Sequence, residues 1–158
     1  MLMARADQNV LGYLGRALSL ELSAVQQYST QARIVVSWGL SEAAASFSKE
    51  AGEELRHAER IIERMLAVGA APGGSQLRPV KLARDLSGLL AIDQQFEADV
   101  IEMYASAVCY CASTGDHDSR VFFEELLSEE QLHHAELQAW QRRLQQAPEK
   151  QVRSGDRS

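Results

Sequence analysis

The sequence predicts an all-α protein, a four-helix bundle of two antiparallel hairpins joined by a long crossover. Three observations carry that expectation. Hydrophobic residues make up 46% of the 158-residue chain and aromatics only 6%, with abundant Ala, Leu, Glu, Gln and Arg and three prolines. That balance favours helix, and no alternating β-branched run is long enough to argue a sheet. Four segments carry apolar residues in steps of seven, close to two helical turns. Between these segments stand Gly39, a Pro- and Gly-rich stretch over 71–79, and Gly115, residues that end helices or interrupt them.

The first helix is expected from about Asp7 to Trp38, with Leu14, Glu21, Tyr28 and Val35 on one stripe and Gly39 at its end. Ser41 is placed to N-cap a second helix that reaches about Gly69 and carries Phe47, Glu54, Ile61 and Val68. So short a connection makes the two helices antiparallel neighbours. Ala71-Pro-Gly-Gly-Ser-Gln-Leu-Arg-Pro79 cannot be helix interior and reads as the crossover. The third helix, from about Asp85 to Ala112, carries Leu90, Glu97, Tyr104 and Cys111. Ser113-Thr-Gly-Asp116 then turns the chain into a fourth, from about His117 to Gln146, carrying Phe123, Glu130, Leu137 and Leu144. Residues 1–146 are thus expected to form one domain. The polar tail 147–158, with Pro148, is expected to be disordered.

Each apolar stripe is interrupted by one glutamate. Glu21, Glu54 and His57 recur at one constant offset as Glu97, Glu130 and His133. The chain therefore holds two Glu-x-x-His motifs, each preceded at the same interval by a lone glutamate. Glu and His three apart project from one helix face and can reach a common ion. His133 lies between Leu126 and Trp140 on its own stripe, whereas His57 lies between Glu50 and Arg64. A buried, unpaired carboxylate costs several kcal/mol or stays protonated, so four in one core need a shared compensation. Divalent cations supply it. The structural alternative, neutral glutamates or pairing with buried Arg or Lys, finds no partner within the stripes. Four carboxylates and two imidazoles suit two transition-metal ions bridged by oxygen, with open positions for dioxygen or water.

Composition excludes other classes. A formal charge of −6 disfavours nucleic acid, whose binding needs clustered Lys and Arg, and suits the attraction of cations. No apolar stretch approaches a membrane span, and Met1-Leu-Met-Ala-Arg lacks a secretory apolar core, so a soluble, cytoplasmic protein is expected. Cys109 and Cys111, two apart on a helix, point in separate directions and read as small apolar core or interface residues rather than a disulfide or a shared metal site. There is no Cys-x-x-Cys pair of the rubredoxin type.

Several short segments are similar to bacterioferritin, a branch of the ferritin family. They are Leu20-Glu21-Leu-Ser-Ala24 with Gln27-Tyr28, Trp38-Gly39-Leu40, Glu54-Leu-Arg-His57-Ala-Glu-Arg60 with Ile62-Glu63-Arg64, and Glu129-Glu130-Gln-Leu-His133. The spacings between successive stripe glutamates resemble the family's without insertion or deletion. The resemblance covers nearly the whole chain and implies a ferritin-like bundle. It implies that Glu21 and Glu97 serve one iron each, that Glu54 and Glu130 bridge the two irons, and that His57 and His133 complete the coordination. Tyr28, if more than a core tyrosine, would hydrogen-bond a ligand or donate an electron.

The implied activity is that of a ferroxidase. Two Fe(II) per subunit bind, dioxygen or hydrogen peroxide bridges them, each iron gives up one electron, and the product is stored as mineral in a homo-oligomeric shell of 24 subunits built from dimers. Three departures bear on this. Leu55 stands where the family carries the methionine that ligates haem between two subunits, so haem is not expected there. The tail lacks the apolar helix that packs around the family's fourfold channels. Lys49 and Glu53 stand where some family members carry an inner-surface His and Asp that take iron through the wall, so the lysine disfavours that accessory site and Glu50 and Glu53 read as solvated acids. Two other readings stay open: a non-storing di-iron peroxidase or oxidase, of which the rubrerythrin type lacks its rubredoxin module here, and a haem-free subunit that shares a mixed shell with a haem-binding homologue.

Overall fold

The structure, a computed structural model, describes residues 6–146. It contains α1 (Gln8–Ser37), α2 (Ser41–Ala67), α3 (Leu86–Thr114) and α4 (His117–Gln146), with no strand among the described residues. α1 packs along α2 and α3 along α4, and α1 against α3 joins the two hairpins. No helix among the described residues is long and apolar enough to cross a membrane. The expected tail lies outside the described residues.

The helix ends follow from local chemistry. Asp7 caps α1 by accepting from the Asn9 and Val10 N–H groups, and Asp85 caps α3 by accepting from Gly88 N–H. α1 closes with Gly39 at φ 77°, where Gly39 N–H bonds Val36 O and Leu40 N–H bonds Val35 O. The paired 5→2 and 6→1 bonds consume carbonyls that the helix end leaves without partners. The same pattern recurs at Gly69 and at Gly115. Several boundaries differ from expectation by one or two residues, among them the end of α2, at Ala67 rather than about Gly69. Ser41 is the first residue of α2 rather than its cap: Leu40 occupies the cap position without a side-chain bond, because the turn that closes α1 is so tight that α2 starts directly after it. α3 runs on through Thr114, since Gly115 is the residue that adopts the left-handed conformation.

The crossover is stapled to one face of α1. Ser19, Ser23 and Gln27, each one turn apart, accept from the N–H groups of Gln76, Arg78 and Lys81 at 3.2, 2.9 and 2.9 Å. Gln27 also donates to Lys81 O at 2.8 Å, and Arg78 bonds Asp99 at 2.9 Å. This segment has no regular structure of its own, so these side chains satisfy backbone groups that a ladder would otherwise hold.

The apolar core is split in two. One cluster contains Leu14, Ile61, Tyr104 and Phe123, and the other contains Tyr28, Phe47, Leu90 and Leu137. On every helix the stripe glutamate is the residue between the two clusters. The seven-residue pattern therefore places four carboxylates at one level of the bundle, with an apolar cluster above and below.

Candidate metal centre

All four stripe glutamates are at most 1% exposed, and His57 and His133 are 5% and 6% exposed. His57 is thus as deeply placed as His133, although its neighbours at seven-residue spacing, Glu50 and Arg64, are polar. Its ring reaches the centre because Glu54, one turn before it, shares its face.

The six residues form two overlapping groups. Glu21, Glu54, His57 and Glu130 each bring one donor atom to within 4.8 Å of the others, and so do Glu54, Glu97, Glu130 and His133. Each group holds one lone glutamate and one histidine, and the two share Glu54 and Glu130. His57 Nδ1 lies 2.8 Å from Glu130 Oε1 and 3.5 Å from both Glu21 Oε2 and Glu54 Oε2. His133 Nδ1 lies 2.9 Å from Glu54 Oε1 and 3.6 Å from Glu130 Oε2. The imidazoles face each other with centroids 5.7 Å apart.

Nδ1 points inward because Nε2 is held from outside. His57 Nε2 is 3.1 Å from Glu129 Oε2, which Arg60 Nη1 grips at 2.5 Å. His133 Nε2 is 2.6 Å from Glu53 Oε2. Carboxylates in this position fix ring orientation and raise the basicity of the inward nitrogen. Glu53 and Glu129 are related by the same offset as Glu54 and Glu130, each standing one place before its bridging glutamate. Glu53 is therefore no free solvated acid, and Glu50 Oε2, 3.6 Å from His133 Nδ1, is buried without a hydrogen-bond partner. Glu50, Glu53 and His133 form a third group of adjacent donors.

Two tyrosines back the lone glutamates. Tyr28 donates to Glu97 Oε1 at 2.8 Å and Tyr104 donates to Glu21 Oε1 at 2.7 Å. The sequence pattern singles out Tyr28 for a place beside the centre but passes over Tyr104 and Glu129. Each of these stands at the repeat offset from a residue already named, Tyr104 from Tyr28 and Glu129 from Glu53, so extending the repeat beyond the candidate ligands finds both. Gln31, one turn beyond Tyr28, donates to buried Asp93 at 2.7 Å, a pair with no counterpart in the repeat.

The electrostatics are those of crowded buried carboxylates. Burial first, then the Glu21 charge, raises Glu54 to about 8 and Glu130 to about 7. Burial and Glu130 push Glu97 well up. Burial also acts on Glu21, but its close neighbours Glu54 and His57 outweigh it and hold Glu21 at about 2. Burial would lower the histidines, yet the adjacent carboxylates of Glu130 and Glu54 carry His133 to about 12, and those of Glu130, Glu21 and Glu54 raise His57 in the same direction. Burial, then the charges of Glu97 and Glu21 respectively, raises Tyr28 and Tyr104, which remain donors.

The donor set fits divalent transition-metal ions. Glu21 Oε2, Glu97 Oε2 and Glu130 Oε2 are buried without a hydrogen-bond partner. Among the described residues the ion-pair partners of Glu21, Glu54 and Glu130 are the two histidines, with no Lys or Arg. Such oxygens need a cation or a proton. Oxygen-rich coordination with one imidazole per position suits iron or manganese in more than one oxidation state.

Comparison with known proteins agrees with the four-helix fold. A family model described as a ferritin-like domain matches residues 11–147. A bacterioferritin from Rhodobacter capsulatus is 34% identical over 82% of this chain and 80% of its own, and one from Brucella melitensis is 30% identical over the same shares. A solved structure of Rhodobacter capsulatus bacterioferritin superposes with a TM-score of 0.89 at 28% identity, covering 98% of this chain and 99% of that one. That structure has a metal-free dinuclear site and a haem iron in a crystallographic special position.

Proposed function

From its membership of the bacterioferritins, a branch of the ferritin-like family, we propose that this chain is an iron-storing ferroxidase that oxidises Fe(II) at an intra-subunit dinuclear centre and passes the product into an oligomeric shell. The observation that carries this reading is the pair of buried donor groups that share Glu54 and Glu130. Glu21 with His57 would hold one iron, Glu97 with His133 the other, and the shared carboxylates would bridge them. Bound there, two Fe(II) ions supply two electrons to dioxygen or hydrogen peroxide.

The rest is the work of the chain's own groups. Glu129 and Glu53 hold the histidine rings so that Nδ1 faces inward, Tyr28 fixes one oxygen of Glu97, and apolar clusters flank the centre on either side. Protons held on Glu54, Glu97, Glu130 and the two imidazoles leave as metal enters, because a ligand atom must be deprotonated to bind.

Haem does not fit at the family's position. Leu55 is 45% exposed on the outside of α2 and offers no lone pair. That observation favours a haem-free protein, and keeps open the second reading of a haem-free subunit in a mixed shell.

The deciding experiment is an anaerobic Fe(II) titration of the metal-free protein followed by oxygen, with the fast absorbance change read per chain. Saturation at two irons followed by slower continued uptake is expected. A fast phase that stops at two identifies a non-storing oxidase, and no fast phase removes the ferroxidase reading. Glu130→Ala, which deletes a bridge, should abolish the fast phase while far-ultraviolet circular dichroism stays unchanged.

A further inference from the structure

Tyr104 is 0% exposed, and its hydroxyl bonds Glu21 Oε1 at 2.7 Å. Its stripe neighbours are Leu90, Glu97 and Cys111, and the ring sits against Phe123 at 6.3 Å. Phenylalanine would fill this place without bringing a polar atom into the core. A buried hydroxyl is tolerable only with a partner, and here the partner is a candidate metal ligand.

The bond has a definite consequence for Glu21. It occupies Oε1 and leaves Oε2, buried and without a hydrogen-bond partner, 3.5 Å from His57 Nδ1. The hydroxyl thus selects which oxygen faces the imidazole and holds the carboxylate in one rotamer. A glutamate free to turn would lose side-chain entropy on metal binding. Tyr28 acts in the same way on Glu97, and the two tyrosines are related by the same offset in sequence as the two glutamates.

We infer that Tyr104 is a positioning residue for the metal position built from Glu21 and His57, the counterpart of Tyr28 at the position built from Glu97 and His133. The inference rests on the reading that the centre takes two metal ions.

The test is an anaerobic Co(II) titration of the full chain, following the visible absorption of bound cobalt, with wild type, Tyr104→Phe, Tyr28→Phe and the double variant. Wild type is expected to take two Co(II) per chain. Each single variant keeps one position at wild-type affinity and weakens the other about ten- to a hundredfold, the range for loss of a group that orients a ligand. The double variant weakens both. Two unchanged Co(II) affinities in Tyr104→Phe, with or without a lower melting temperature, overturn the inference and leave the dinuclear reading standing. A wild type that takes fewer than two overturns both.

Should Tyr104→Phe fail to fold, the wild-type sequence labelled with 3-fluorotyrosine serves instead. Its position-104 fluorine resonance, assigned among four tyrosines, should shift on Zn(II) binding. A resonance that does not move overturns the inference.

Discussion

Glu54 and Glu130 titrate at about 8 and about 7, against an ordinary glutamate value of 4.5, so the folded, metal-free chain keeps protons that the unfolded chain releases. A group whose folded value is raised contributes stability that is complete below its unfolded value and is lost as pH rises through the folded one. Glu97 and both histidines are raised as well, so they act in the same direction. Glu21 is the exception: at about 2 it stabilises above 4.5 and fails only as pH falls toward 2. The melting temperature of metal-free protein is therefore expected to fall as pH rises through the interval between the ordinary glutamate value of 4.5 and the Glu54 value of about 8. Divalent cation should reverse that slope, because it replaces the protons. Calorimetry of chelator-treated protein checks this, and a flat or rising profile would refute the buried-carboxylate account. The stripe pattern made these glutamates legible in the sequence, because a charged residue amid Leu14, Val35 or Phe47 is conspicuous. The Gln31–Asp93 pair was not legible: the positions that answer to them in the repeat are Ala107 and Ala17, and the contact joins two helices that are distant in sequence.

Gly39, Gly69 and Gly115 close three helices at φ 77°, 79° and 72°, and a Cβ built on any of them meets nothing within 4 Å. Alanine at these places costs only backbone strain, about 1–2 kcal/mol for an L residue in the left-handed region. Gly73 in the crossover also has open space around it and no positive φ, so alanine there should cost little. Urea melts of Gly115→Ala and Gly73→Ala are expected to separate by about 1 kcal/mol or more. Equal midpoints would show that the turn at Gly115 does not govern the second hairpin. Helix number, order and approximate limits could be read from the sequence because Gly and the stripes act locally. The first residue of α2 could not, since it depends on how tightly α1 closes. Nor could the stapling of the crossover to Ser19, Ser23 and Gln27, which depends on the path the chain takes across the bundle.

At the scale of the whole molecule, one hairpin repeated at a constant offset explains the candidate ligands, Tyr28 and Tyr104, Glu53 and Glu129, and the turn glycines Gly39 and Gly115. The outer surface is not bound by that symmetry. Leu55 and Leu66 leave α2 45% and 61% exposed, while Glu54, the residue before Leu55, is 1% exposed. Consecutive helical residues point about 100° apart, so one position serves the centre and the next serves whatever meets the outside of α2. Changes at residue 55 should therefore leave iron oxidation alone and alter only what binds that face. Haem mixed with the wild-type protein is expected to give no spectrum of paired thioether ligation. Leu55→Met is expected to give one if two copies of the chain meet across α2, with the fast iron phase unchanged in both proteins. A sedimentation mass should be measured on the same samples, because a haem-free monomer and a haem-free shell fail to bind haem for different reasons. If Leu55→Met sediments as an oligomer and still takes no haem, the face as a whole departs from the family arrangement, and the missing methionine is a consequence of that departure rather than its cause.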